Sequence, residues 1–324
     1  MASSFKARAK RALAGGLGAV AVATLAPLGL AAQPAAAATA PICTSSTHPA
    51  LAAKLSRDIN SALSGRTDTY ALNVWDPHTG VYCSVHPYWH FDSASIVKAT
   101  IMGALLYWRK GQTLTAAEVA HLKPMIENSD NNAATWLWNY VGRTRIQRFL
   151  NAAEMTTTYL GPGGYWGLTQ VDARDEMRLL NVYTDRTDLL TPNAKAYALK
   201  LMASVESDQR WGTPYGTPAG VTAHVKNGWL PRASLGWRVN SLGIFTGSGR
   251  DYRMAILTDN QSTMGYGITT IERIALQVHR DLGTYGATAS HTAPRTLPAQ
   301  TQPGMDAPQS PAGDGSAPFG TVQG

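Results

Sequence analysis

Ser95-Ile96-Val97-Lys98-Ala99-Thr100-Ile101-Met102-Gly103-Ala104-Leu105-Leu106 is apolar on nearly every side when wound at helical period. A helix with no wet face belongs at the centre of a domain, and the pattern predicts it over Ser95 to Lys110. It opens on a hydroxyl and carries an amine three residues later. That spacing puts Ser95 and Lys98 on one helix face. An amine that burial keeps neutral can take the proton of a neighbouring serine and make it nucleophilic.

Two further motifs follow in order: Ser129-Asp130-Asn131 and Lys226-Asn227-Gly228. Roughly one Ser-x-x-Lys and one Lys-x-Gly arise by chance in a chain this long, against about one Ser-Asp-Asn in twenty such chains. Order and context therefore carry the reading. Ala116–Ile126 and Asn132–Val141 have helical periodicity, so Ser-Asp-Asn sits on a short connection.

Outward from this centre, Leu51, Leu55, Ile59 and Leu63 mark an amphipathic helix over 49–64. Thr69–Asp76 and Gly80–His86 alternate apolar and polar residues around Pro77-His78-Thr79, a hairpin signal. Thr144–Ala153 reads as a helix capped by Thr144, and Thr169 with Asp172 as the cap of a helix to Leu180. Pro192–Val205 and Tyr266–Leu282 are further helices, and His224–Leu230, Trp237–Thr246 and Tyr252–Leu257 are strands. Strands at both ends with helices between predict an α/β (α+β) fold: an antiparallel sheet flanked by helices, with an all-helical lobe inserted at about 95–215.

The three motifs resemble those of the penicillin-recognising serine enzymes, the class A β-lactamases and D-alanyl-D-alanine peptidases. The resemblance spans roughly residues 45–283 and is closest around Met125–Ala134. It implies Ser95 as nucleophile, Lys98 as its base, and Ser129 as proton donor to the leaving nitrogen. It implies Asn131 as a holder of the substrate amide and Lys226 as the charge that meets a substrate carboxylate. Backbone N–H groups of Ser95 and Trp229, beside Gly228, would form the oxyanion hole. Asn227 stands where the family has Thr or Ser, so an amide replaces a carboxylate-binding hydroxyl. Arg238 is a candidate for additional positive charge.

The main departure lies in Thr157–Leu168. Class A β-lactamases carry there a glutamate that activates the deacylating water, and this segment holds no acid. The interval from Ser95 to Ser129 is also short, 34 positions by subtraction, so the lobe is trimmed. The resemblance implies a secreted serine hydrolase acting on a β-lactam or a peptidoglycan stem peptide through an acyl-enzyme. The alternatives are a D,D-peptidase or esterase-like relative, a slow-turnover penicillin-binding protein, or a cell-wall binder without turnover.

Lys6, Arg8, Lys10 and Arg11, the apolar run Ala12–Ala32 and Ala35–Ala38 read as a Sec-type signal peptide over 1–38. Its removal leaves the hydrolase domain at 39–283 without a membrane anchor. It also lowers the net charge from +7 to +3, because four basic and no acidic residues leave. With no basic cluster remaining, nucleic acid is not an expected partner. Export permits a disulfide, and a bond between Cys43 and Cys83, the two cysteines, is expected. From 284 to 324 the Pro, Gly, Ser, Thr and Gln content predicts a disordered tail. His86-Pro87-Tyr88-Trp89-His90 has helix-like histidine spacing but a proline and no glutamate, so no zinc site is expected. No cofactor is implied, and the protein is read as a monomer.

Overall fold

The β-branched and aromatic run Thr69–Asp76 lies at the heart of a six-stranded antiparallel sheet. The structure is a computed structural model and describes residues 41–66, 69–185, 188–232 and 236–284. The signal-peptide reading, and the tail beyond Thr284, lie outside the described residues. In chain order come β1 (Cys43–Thr44), α1 (Pro49–Leu63), β2 (Thr69–Asp76), β3 (Val81–Val85) and β4 (Phe91–Asp92). The helices α2 (Val97–Arg109), α3 (Ala116–Glu127), α4 (Asn131–Val141) and α5 (Arg143–Ala152) follow. Then come β5 (Gln170–Val171), α6 (Ala173–Thr184), α7 (Pro192–Ala203), β6 (Thr222–Arg232), β7 (Gly236–Gly247), β8 (Arg250–Gln261) and α8 (Met264–Thr284).

The sheet order is β1-β3-β2-β8-β7-β6, and β4 pairs separately with β5. Two cores form. Leu51, Leu55 and Ile59 of α1 pack with Ile271, Ile274 and Val278 of α8 and with Leu72, Val74 and Ile256 of the sheet. The second core gathers α2, α4, α5, α6 and α7, with Val97 to Leu106 all buried. That burial is why the α2 sequence is apolar all round.

Cys43 and Cys83 face each other across β1 and β3 and are joined by a disulfide. The bond ties the start of the described chain to the sheet edge.

Two caps differ from the sequence expectation. Gly142 (φ +77), not Thr144, precedes the first turn of α5, because a left-handed residue must separate it from α4. Asp172 itself caps α6, accepting from the backbone N–H of Asp175 at 2.7 Å. Thr169 instead accepts from the backbone N–H of Gly161 at 3.1 Å, closing the Gly-rich loop.

Candidate active site

Ser95 stands where β4 turns into α2, on a short 3₁₀ turn, Ala94–Ile96. Ala94 holds φ +46, a region that side chains bearing a Cβ adopt rarely. Such a conformation persists only where the surroundings enforce it. Here Asn240 of β7 donates its amide to the carbonyls of Asp92 and Ser93 at 3.0 and 3.3 Å, and its Oδ1 accepts from Thr258 N–H at 3.1 Å. Ser93 N–H donates to the Thr169 carbonyl at 2.8 Å. The segment before the serine is thus clamped between sheet and loop.

Gly228 of β6 closes the other side. A Cβ there would lie 2.7 Å from Ser95 N and 2.8 Å from Ile96 N. Only glycine lets the strand approach the amide of Ser95 this closely.

Lys98, the second residue of α2 and about one turn after Ser95, is fully buried. Its Nζ donates to Ser95 Oγ at 2.8 Å, Asn131 Oδ1 at 2.7 Å, Ser129 O at 2.6 Å and Ser129 Oγ at 3.0 Å. The Trp166 ring lies above it, 4.8 Å from Nζ to centroid.

Ser129 adopts φ +55 between α3 and α4, with Asp130 capping α4 by accepting from Ala133 N–H at 2.6 Å. Its Oγ also accepts from Lys226 Nζ at 2.9 Å. One hydroxyl therefore bridges two lysines. Lys226 is fully buried on β6 and also donates to the Asn227 carbonyl at 3.0 Å. Desolvation pulls its amine down to about 7.

Ser95, Lys98, Ser129, Asn131, Lys226 and Gly228 thus converge. Asn227 and Arg238 do not take the places expected of them. The Asn227 amide donates to the carbonyls of Gln209 and Trp211, both at 2.8 Å, so neither N–H remains for a substrate carboxylate. Strand alternation turns this side chain away from that of Lys226. Arg238 is 4% exposed and pairs with Asp92 at 3.2 Å, and Arg232 approaches the same carboxylate at 3.6 Å. Its charge is spent on fixing β4. Trp229 is half-buried, edge-on to Trp211 with centroids 5.8 Å apart.

The acids around the Gly-rich loop are structural in geometry. Asp172 accepts from Thr157 Oγ1 at 2.6 Å, and Asp175 from Thr157 N–H and Thr158 Oγ1 at 2.8 and 3.0 Å. Glu154 is exposed beside Arg178. Glu176 is wholly buried, and burial together with Asp175 and Asp172 pushes its carboxyl well above the usual range. Sequence reasoning missed Asn240, although a lone amide between Val239 and Leu242 in a buried strand is itself a signal.

The model of the beta-lactamase enzyme family matches residues 102–282, more than half of the chain. The chain belongs to that family. Solved structures share its fold at low identity. A class A β-lactamase from Bacteroides cellulosilyticus aligns with TM-score 0.62 and 19% identity, over 71% of this chain and 98% of its own. PBP-A aligns at 0.61 and 17%, over 71% and 96%. The β-lactamase of Sphaerobacter thermophilus aligns at 0.59 and 17%, over 71% and 97%. No curated protein matches the chain. Within the family, the antiparallel sheet and helices found here are the class A β-lactamase fold.

Proposed function

We propose that the protein is an exported serine hydrolase that opens a β-lactam, or a related amide beside a carboxylate, through an acyl-enzyme on Ser95. The observation that carries this reading is the chain of contacts from Ser95 Oγ to Lys98 Nζ, Ser129 Oγ and Lys226 Nζ, at 2.8, 3.0 and 2.9 Å.

In that arrangement Lys98 in its neutral form takes the Ser95 proton as Oγ attacks the carbonyl carbon. The oxyanion develops near the backbone N–H of Ser95, which Gly228 lets β6 approach, and that of Trp229, the next residue along the strand. Ser129 gives its proton to the leaving nitrogen and is resupplied from the lysines on either side of it. Lys226, while protonated, meets the carboxylate. Asn131, with Oδ1 held by Lys98, has its Nδ2 end for the substrate amide.

Slow deacylation is the second reading, as in a penicillin-binding protein or D,D-peptidase. It is motivated by the loop that bears Trp166, which holds no acid and lays that indole over Lys98. A variant of PBP-A, similar in fold at 17% identity, is itself described as an acyl-enzyme complex with penicillin G. Time-resolved intact mass with benzylpenicillin tests both readings. A mass increase of one ligand on the wild-type chain, absent from Ser95→Ala, is expected. No adduct and no turnover would sink the proposal.

Export itself rests on the leader-like residues 1–38 and agrees with the Cys43–Cys83 disulfide. Among the described residues no helix is long and apolar enough to cross a membrane.

A further inference from the structure

Among the described residues, the exposed large hydrophobic side chains are Tyr88, Trp89, Val119 and Tyr159. Three of these four are aromatic and belong to one loop region: Tyr88 and Trp89 lie within residues 86–90, and Tyr159 lies against His90. Exposed aromatic surface that the fold holds in place marks an interaction site more often than chance. These rings are held. The Trp89 indole stacks on His86 with centroids 3.7 Å apart and 3° between planes. Arg174 places its guanidinium 5.2 Å from the Tyr88 centroid, and Tyr159 leans on His90 at 5.3 Å. Backbone contacts fix the loop: Arg174 N–H donates to the Pro87 carbonyl at 3.2 Å, and His86 holds φ +46.

The polar rim is equally defined. His86 Nδ1 meets the Tyr70 carbonyl at 3.0 Å, and His90 Nε2 meets the Thr157 carbonyl at 2.8 Å. A carbonyl only accepts, so these nitrogens carry the hydrogens, and in the neutral ring the opposite nitrogen is an acceptor. Flat ring faces suit the C–H faces of a pyranose, and imidazole acceptors with a guanidinium donor suit its hydroxyl and acyl groups. An aliphatic-rich patch would have suited another protein better.

We propose that Tyr88, Trp89 and Tyr159 form a stacking platform for a glycan strand of β-1,4-linked N-acetylhexosamines. The choice among glycans rests on the reading of Ser95 as a hydrolase of cell-wall-type amides; the platform rests on the rings. Its position agrees with that use. Tyr159 bridges to Gln170, and Gln170 pairs with Asp92, three residues before Ser95. Two ladder spacings are about 10 Å. The three residues from Asp92 to Ser95 add at most about 10 Å, so Tyr159 lies within about 20 Å of Ser95, the span of about six extended peptide residues.

Chitohexaose titrated into the full exported chain, followed by calorimetry, tests this. The wild type is expected to bind saturably, and a W89A/Y159A double variant to lose at least about tenfold in affinity. Both proteins should keep the same rate of covalent labelling by a fluorescent penicillin, which shows that the variant is folded. Absence of saturable binding to the wild type, or equal binding by the variant, overturns the proposal. So does concentration-dependent dimerisation of the wild type that the same substitutions abolish, since the patch would then be a self-interface. Glycan binding without penicillin labelling would instead leave the platform standing and remove the hydrolase reading.

Discussion

Trp166 lays its indole over Lys98, with 4.8 Å between the ring centroid and Nζ, and anchors its own N–H on Thr135 Oγ1 at 3.1 Å. An apolar ring therefore occupies the approach to the amine from the loop side. A water there has no carboxylate from Thr157–Leu168 to take its proton.

This relationship predicts burst kinetics. General-base help is typically worth about 10²–10⁴-fold in rate. Deacylation should be slower than acylation by a factor of that order, softened if Lys98 substitutes as base. Stopped-flow nitrocefin hydrolysis reads it directly, and a fast linear steady rate with no burst and no trapped adduct would show another base at work.

The nucleophile assignment makes a sharper prediction. Ser95→Ala should abolish labelling by a fluorescent penicillin, and Lys98→Ala should slow it by about 10²–10⁴-fold. Labelling of the Ser95→Ala variant at the wild-type rate would mean that another residue is acylated.

Lys226 adds a pH dependence. Its amine sits at about 7 in the empty site because burial penalises the charge. The cation proposed to meet a substrate carboxylate is thus present below that pH and fades above it. Acylation kcat/KM for a carboxylate-bearing substrate should fall as pH rises through about 7, and Lys226→Arg should flatten that limb. In stability the sign is opposite. Between about 7 and the ordinary 10.5 the unfolded chain binds the proton more tightly, so this group's cost to folding shrinks as pH rises across that window.

Glu176 is a second buried ionisable group, and neither carboxyl oxygen has a hydrogen-bond partner among the described residues. Its folded carboxyl keeps a proton well above pH 4.5, whereas the unfolded one loses it there. Its contribution to stability is therefore greatest in acid and is lost as pH rises above 4.5. Glu176→Leu should raise stability at pH 8 more than at pH 5, measured by urea unfolding at both. An equal shift at the two values would show that Glu176 is ionised in the fold.

The Cys43–Cys83 bond closes a span of 40 residues. The chain-entropy model gives such a loop about 4 kcal/mol of stability. Urea unfolding of the Cys43→Ala/Cys83→Ala variant should show a loss up to that size, and non-reducing peptide mapping of exported protein should find the cross-linked pair. Two free thiols there would remove the prediction.

What the sequence determined by itself was local or periodic. The apolar circumference of α2 required burial, alternation over Thr69–Asp76 required a sheet, and three motifs in order picked out Ser95, Lys98, Ser129 and Lys226, which the fold brings together. Residues three apart on one helix share a face whatever surrounds them, so Ser95 and Lys98 were legible together. Tertiary structure decided what depends on distant partners. Asn227 is turned to the Gln209 and Trp211 carbonyls, and Arg238 to Asp92, by which strand lies beside which. Asn240 reaches back to Asp92 and Ser93 from a strand about 150 residues later, and Trp166 crosses from the Gly-rich loop to Lys98. No local pattern encodes these contacts. They exist because close packing leaves each buried polar group one place to find its partner, and that place is fixed only when the whole chain has folded.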